Sequence, residues 1–344
     1  MPTVDTGGAE PPRDAAWDGR SYGGSLGHRI FALVIRLAGR IPTYLLLVVV
    51  VPYYCLIARK AVRSSRAYRR RLDASVGLPP ASWPRRVART YRHFFEFGQV
   101  LVDRFIFHVR GDASFDFTGE GWEHIEAALA PGRGAIFLSA HVGAWEIASS
   151  IRRRFRHASL ATPLHVVMHL PEGRAPSYVE VLEREGDLKV IPVRDAGLPF
   201  EVVNALGRGE IVAFHGDRTF PAAPAPCAGG ALPDASRAGP DAGRRERRPL
   251  TVRVPFLGEP AAFPLGPWEI AAITGAPVVP TFLLKTGWRS YHFRVFPPVR
   301  VEAPRPERAA VVAGHVADYA RLLEGLLREH PHEWFNFYDF WGQS

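Results

Sequence analysis

The sequence predicts an α/β fold, a mainly parallel sheet flanked by helices on both faces. Beyond residue 110, short apolar runs of strand length alternate with segments whose apolar residues recur at helical spacing. One junction, Gly134-Ala-Ile-Phe-Leu-Ser-Ala-His-Val-Gly-Ala-Trp-Glu146, passes from a run that fits a strand buried on both faces into a helix near Gly143, where Ile147, Ile151 and Phe155 take up helical spacing. At 344 residues and 47% hydrophobic, the chain can bury a sizeable core, in one large domain or one domain plus appendages.

Residues 1–27 are rich in Gly, Pro, Ala and Asp and show no apolar period, which predicts a disordered tail. Ile30, Phe31, Leu33, Val34 and Leu37 then make an amphipathic lead-in. Residues 41–58 form an uncharged run flanked by Arg40 and by Arg59-Lys60. As a helix this run rises about 27 Å, just short of the roughly 30 Å hydrocarbon core of a bilayer. Pro52 inside it predicts a kink or break. It starts too deep in the chain for a signal peptide, and no small-residue cleavage site follows. A buried helix of a soluble protein has the same composition. Seven basic residues between positions 59 and 71 favour instead a membrane anchor over residues 28–60, with the following chain on the cytoplasmic face. Spanning and kinked, monotopic insertion both fit the run. Residues 61–110 are a basic helical region; residues 74–110 carry Tyr91, Phe94, Phe95, Phe97, Leu101, Phe105 and Phe107 as an aromatic face.

From there the elements follow in order. Strands are expected at 115–119, 135–138, 165–168, 188–193, 210–214 and 276–284, with 291–295 alternating as a partner strand. Helices are expected at 122–129, after Gly143, and at 178–184, 200–206 and 307–329. Residues 221–249 break the pattern: Pro, Ala and Gly dominate, and Arg244, Arg245, Arg247 and Arg248 follow. That composition predicts a mobile insertion, whose basic run is a solvated face or a phosphate clamp.

Composition narrows the functional classes. With 43 basic against 34 acidic residues, the net charge of +9 suits an anionic membrane face, an acidic carrier protein or nucleic acid, and alone selects none of them. The basic residues are spread over several helices, which argues against nucleic acid. Two cysteines, Cys55 and Cys227, exclude a disulfide framework or zinc cluster and fit a reducing compartment. The thirteen histidines lack metal-ligand spacing, so no metal is expected. Neither Gly-x-Gly-x-x-Gly nor a Walker-type loop follows a strand.

The chemistry-bearing residues gather at strand ends, where open α/β sheets bind their ligands. His141 falls at the end of one strand and Glu146 in the first turn of the next helix. Such a carboxylate can fix the tautomer of the imidazole and stabilise its protonated form, leaving the other ring nitrogen as a base. Asp217 and Arg218 fall at the end of another strand; there Asp217 is expected to hold Arg218, or the two form a structural ion pair.

The segment His141-Val-Gly-Ala-Trp-Glu146 resembles the His-x4-Asp/Glu motif of the lysophospholipid acyltransferase superfamily, nearest to its bacterial lipid A lauroyl/myristoyl acyltransferase branch. Val254-Pro-Phe-Leu-Gly258, Phe263-Pro-Leu-Gly-Pro267 and Gly275-Ala-Pro-Val-Val-Pro280 look like later blocks of that superfamily, and the Glu333–Trp341 terminus resembles an uncharacterised offshoot of it. The resemblance covers residues 28–344 apart from the insertion, and makes 111–344 the acyltransferase domain. It implies transfer of a fatty acyl group from a thioester, on acyl carrier protein or coenzyme A, to a hydroxyl of a lipid or glycolipid. The thioester is a co-substrate and no cofactor is implied.

In that reaction His141 is the base and Glu146 its orienting partner. Gly143 keeps the turn tight and leaves backbone N–H groups exposed for the oxyanion. Asp217, Arg218 and Gly266 bind substrate, Arg218 through a phosphate or the oxyanion. Phe263-Pro-Leu-Gly266 stands where glycerol-phosphate enzymes have an acidic residue before the glycine, which favours a glycolipid or other hydroxylated lipid. The expected location is a bacterial inner membrane with the catalytic domain on its cytoplasmic face. Two alternatives remain open from the residues: a thioester or ester hydrolase on the same fold, and a non-enzymatic basic membrane-surface protein. The oligomeric state is not legible.

Overall fold

Apolar runs with two faces to bury require cover on both sides, and the sheet supplies the frame for it. The computed structural model of the chain describes residues 33–37, 39–151, 162–169, 188–193, 198–218 and 251–342. Its strands are β1 (Asp116–Glu120), β2 (Ala135–Ser139), β3 (Leu164–Met168), β4 (Leu188–Pro192), β5 (Ile211–His215), β6 (Thr251–Phe256), β7 (Glu259–Pro264), β8 (Val278–Lys285) and β9 (Ser290–Val295). Seven of them form one sheet in the order β1-β9-β8-β2-β5-β3-β4, while β6 and β7 make a separate hairpin. β8, β2, β5, β3 and β4 run parallel; β9 turns back antiparallel to β8, with β1 parallel to it at the edge. The expected mainly parallel α/β sheet is what the chain forms.

The helices are α1 (Arg40–Ile57), α2 (Arg59–Ser75), α3 (Trp83–Arg110), α4 (Trp122–Leu129), α5 (Trp145–Ile151), α6 (Leu198–Gly207), α7 (Gly266–Thr274) and α8 (Arg308–Glu329). They cover both faces because successive strand residues point opposite ways. Ile136 and Leu138 of β2 join one apolar cluster with Val202 of α6, Trp268 of α7 and Val316 and Leu323 of α8. Ala135 and Phe137 join the other, with Leu47 of α1, Ile106 of α3, Ile125 of α4 and Ile147 of α5.

At the N-terminal end the structure rules out one of the two outcomes expected at Pro52, the break, and departs from expectation over 74–110. Pro52 does not end α1, which continues to Ile57. The helix expected over 74–110 is split, because Gly77 adopts φ 72° and Pro79-Pro80 follow, so α3 begins only at Trp83. α1 packs on α3 through Thr43, Tyr44, Leu47 and Val51. Gly98 of α3 permits the approach: a Cβ there would lie 3.0 Å from Leu47 Cδ2. A buried carboxylate pins the arrangement. Asp103 of α3 accepts from Tyr44 Oη at 2.7 Å, Tyr291 Oη at 2.7 Å and Lys285 Nζ at 2.5 Å, with Arg40 Nε 3.3 Å away. The expected tail over 1–27, the helix over 178–184 and the insertion over 221–249 lie outside the described residues.

Candidate active site

The site forms where β2 and β5 end side by side. Ser139 is paired in register with His215, so two residues further along each strand the chain brings His141 beside Asp217. His141 Nδ1 lies 2.8 Å from Asp217 Oδ1. A carboxylate without a proton only accepts, so Nδ1 carries the hydrogen and Nε2 is left as the basic nitrogen. Asp217 is completely buried, whereas the His141 side chain keeps 15% of its surface open. Oδ2 of Asp217 is filled by three more donors: the His141 backbone N–H at 3.0 Å, Trp334 Nε1 at 2.8 Å and Asn336 Nδ2 at 2.9 Å.

The C-terminal segment closes the site from below. Gly143 N–H donates to the Glu333 carbonyl at 2.9 Å and Phe335 N–H to the His141 carbonyl at 2.7 Å, so residues 141–143 and 333–335 pair as two short extended strands. Beyond them, Tyr338 Oη donates to the Asp217 carbonyl at 3.3 Å, and Arg218 Nε approaches Asn336 Oδ1 at 3.4 Å with its guanidinium 5.5 Å from the Tyr338 ring. His215 lies against His141, ring centroids 4.4 Å apart, and Trp145 meets His215 edge-on at 4.4 Å.

These contacts set the charges. Burial lowers the proton affinity of His141 and the Arg218 charge lowers it further; Asp217 and, more weakly, Glu146 pull the other way. The imidazole is therefore neutral at pH 7. Burial alone would raise the Asp217 carboxyl, but the charge and hydrogen bond of His141 hold it well below the usual carboxylate range. His215 is pushed far down by burial and then by His141.

Three expectations for individual residues change with this geometry. The hydrogen-bonding partner of His141 is Asp217, not Glu146; the Glu146 carboxylate is ion-paired with Arg104 of α3 and reaches His141 only as a nearby charge. Asp217 hydrogen-bonds His141, while Arg218, which it was expected to hold, is attracted by its charge. Gly143 does keep the turn tight, at φ 63° with a would-be Cβ only 2.0 Å from the Leu283 carbonyl, but the first two amides of the turn, its own and that of Ala144, are not left exposed. Its own N–H goes to Glu333 and that of Ala144 to Leu283, because the turn is pressed onto β8 and the C-terminal segment. Gly266 opens α7 in an exposed position, and no described hydrogen bond joins it to the His141 cluster.

A neutral imidazole oriented by a buried carboxylate at the mouth of a parallel sheet is equipped to take a proton from a hydroxyl. Two curated proteins are similar to the chain over most of its length. Both are named phosphatidylinositol mannoside acyltransferase, from Mycobacterium tuberculosis strains ATCC 25618 / H37Rv and CDC 1551 / Oshkosh. Each is 25% identical, with the alignment covering 79% of this chain and 76% of the relative. No family model matches. These similarities support a lipid acyltransferase. The superfamily that the sequence resembles is thereby supported over most of the chain's length, and not through the His141–Glu146 pair.

Several residues of this acyltransferase were missed in the sequence. His215 was visible only as the residue before Gly216-Asp217-Arg218. Trp334 had no signal beyond an aromatic-rich terminus expected to plug the core, and Asn336 was legible there, with Tyr338 and Asp339, as a residue that could line an acceptor groove and not as a partner of Asp217. Arg104 sits in a helix full of arginines, and nothing distinguishes it there.

Proposed function

We propose that this acyltransferase moves a fatty acyl group from an acyl carrier protein or coenzyme A thioester to a hydroxyl of a membrane glycolipid. The observation that carries the reading is the His141 Nδ1 bond to the buried carboxylate of Asp217, which leaves Nε2 as a base. Nε2 takes the acceptor's hydroxyl proton as its oxygen bonds to the thioester carbonyl carbon. The imidazolium formed is stabilised by Asp217, as in other histidine–carboxylate pairs. Collapse of the tetrahedral oxyanion breaks the carbon–sulfur bond, and Nε2 returns the proton to the leaving thiolate. Base catalysis of this kind contributes roughly 10²–10⁴-fold. Arg218 is the cation suited to the oxyanion, since the turn amides of Gly143 and Ala144 are spent on the fold. No nucleophilic side chain is needed, so the transfer is direct.

The relatives' names support a mannosylated phosphoinositide or similar glycolipid as acceptor. Membrane attachment is assigned to α1, the one described helix long and apolar enough to cross a bilayer. Its inner face is packed on α3 while Ile41, Leu45, Val49, Tyr53 and Leu56 are exposed. The exposed Arg59, Lys60, Arg63, Arg66 and Arg70 of α2 suit anionic lipid headgroups on the cytoplasmic face of an inner membrane.

The test is a mass-spectrometric comparison of lipids from cells carrying wild type or His141→Ala. A glycolipid that gains one acyl chain only with wild type is the expected result and names the acceptor. Free fatty acid accumulating in place of an acylated lipid would make the chain a hydrolase.

A further inference from the structure

We propose that Trp334 and Asn336 are positioning residues for the His141–Asp217 pair, which makes the C-terminal segment a working part of the active site. The inference takes the acyl-transfer reading for its kinetic readout and stands on geometry for the rest. Trp334 Nε1 and Asn336 Nδ2 both donate to Oδ2 of Asp217, at 2.8 and 2.9 Å, beside the His141 N–H at 3.0 Å. With Oδ2 saturated, Oδ1 is the oxygen left for His141 Nδ1. Every donor around the carboxylate needs it ionised, because a protonated acid would have to give up one of them.

The backbone explains why these two side chains arrive together. In an extended segment alternate residues share a face. Residues 334, 336 and 338 all turn to Asp217, whereas Phe335 and Phe337 turn the other way and pack with Phe97. The pairing of Glu333 and Phe335 with Gly143 and His141 fixes the register of that alternation relative to the catalytic turn. Trp334 is wholly buried and held from behind: its carbonyl lies 2.8 Å from His93 Nε2 and its ring meets Tyr68 edge-on at 4.9 Å.

Taking away one donor leaves the Asp217 charge less satisfied, so that charge draws harder on the His141 proton. The proton affinity of both members rises, and the base is neutral only at higher pH. The other groups facing the pair are His215 and Arg218 at the end of β5, Glu146 on α5 with Arg104 of α3, Tyr319 of α8 and Tyr338. Trp334→Phe leaves all of these in place. Asn336→Leu also removes the Oδ1 that Arg218 approaches, so the tryptophan variant is the cleaner probe.

The experiment uses the full chain in detergent. The pH dependence of His141 carbethoxylation by diethyl pyrocarbonate is followed by peptide mass spectrometry, alongside thiol release from palmitoyl-coenzyme A with phosphatidylinositol mannoside micelles as acceptor. In Trp334→Phe the half-point for His141 should move up by about one pH unit, the scale of one charge-assisted hydrogen bond. The acid limb of thiol release should move with it, and kcat should fall roughly tenfold or more while KM stays within about twofold. Asn336→Leu should shift the same way, and decides the matter alone if Trp334→Phe does not fold. Trp341→Phe removes an indole N–H given to the Phe256 carbonyl at 3.3 Å in the same aromatic plug, and should move neither readout. A folded Trp334→Phe with a wild-type half-point overturns the proposal, as does an equal shift in Trp341→Phe. Thiol release that survives His141→Ala would sink the acyl-transfer reading instead, while the carbethoxylation shift still decides the positioning.

Discussion

Two carboxylates stand near His141, and they differ in what they can do for it. Asp217 touches Nδ1 and is sealed from water; Glu146 is shared with Arg104 and acts across space. An amide in place of the first can donate as well as accept, which permits the tautomer with the hydrogen on Nε2 and removes the base. Asp217→Asn should therefore lower kcat by roughly two to four orders of magnitude. Glu146→Gln should cost about tenfold or less, in keeping with the ~1 kcal/mol scale of a partly exposed ion pair. Steady-state rates for the two variants check the order, and a larger loss in Glu146→Gln would return the partner's role to Glu146. The sequence pointed to the wrong acid for a physical reason. Glu146 is five positions from His141, so the junction alone suggests it, whereas Asp217 is adjacent only because β2 and β5 pair with Ser139 opposite His215. Strand adjacency is a long-range choice that local periodicity does not encode.

Elements were more legible than pairs, because each is written in its own apolar spacing. The split of Ala135 and Phe137 from Ile136 and Leu138 between two cores is what an uninterrupted apolar run means in a parallel sheet. The helical break after Ser75 was less so, since the aromatic period of α3 hid the Gly77 and Pro79-Pro80 signal. α1 shows both sides of the problem. Its hydrophobic length was plain, but only packing divides it into an inner face, with Leu47 and Val51 each 4% exposed, and an outer face, with Leu45 at 64%, Val49 at 71% and Leu56 at 73%. That division makes a prediction. Changing Leu45, Val49 and Leu56 together to Gln should detach the protein from vesicles containing anionic lipid while leaving its melting temperature within a few degrees. Leu47→Ala should do the reverse, destabilising by about 2–4 kcal/mol with binding retained by whatever remains folded. Flotation and thermal unfolding of both variants separate the two faces, and undiminished flotation of the triple variant would remove α1 from the membrane contact.

At the scale of the whole molecule, the histidines tie stability to pH. His93 of α3 lies fully buried against α2 and the C-terminal segment. Its Nε2 faces the Trp334 carbonyl at 2.8 Å and must donate to it, so Nδ1, 2.9 Å from Ser65 Oγ, accepts. A neutral ring satisfies both bonds; protonation would only turn the second round, with Nδ1–H donating to Ser65 Oγ, so what opposes the charge is its burial. Burial pushes His93 down to about 4, and burial with the Arg69 charge pushes His332 to about 3. Both values lie below the unfolded value near 6.5. When the folded value is depressed, the unfolded chain takes up a proton first as pH falls, so folding stability is full above about pH 6.5 and declines from there toward the folded values. For His93 alone the loss between pH 7.5 and pH 5 should be about 2 kcal/mol. Asp217, also depressed, extends the decline below the ordinary carboxylate range rather than offsetting it. Thermal unfolding should thus shift down steadily through this interval, and His93→Gln should flatten the shift even though it lowers the melting temperature at pH 7.5. Equal slopes in wild type and His93→Gln would mean that another group sets the acid limit. Because Trp334 accepts from His93 and donates to Asp217, unfolding driven by the charging of His93 also takes a donor from the Asp217 carboxylate. Activity, which also needs His141 neutral, should fail on the acid side no later than folding does.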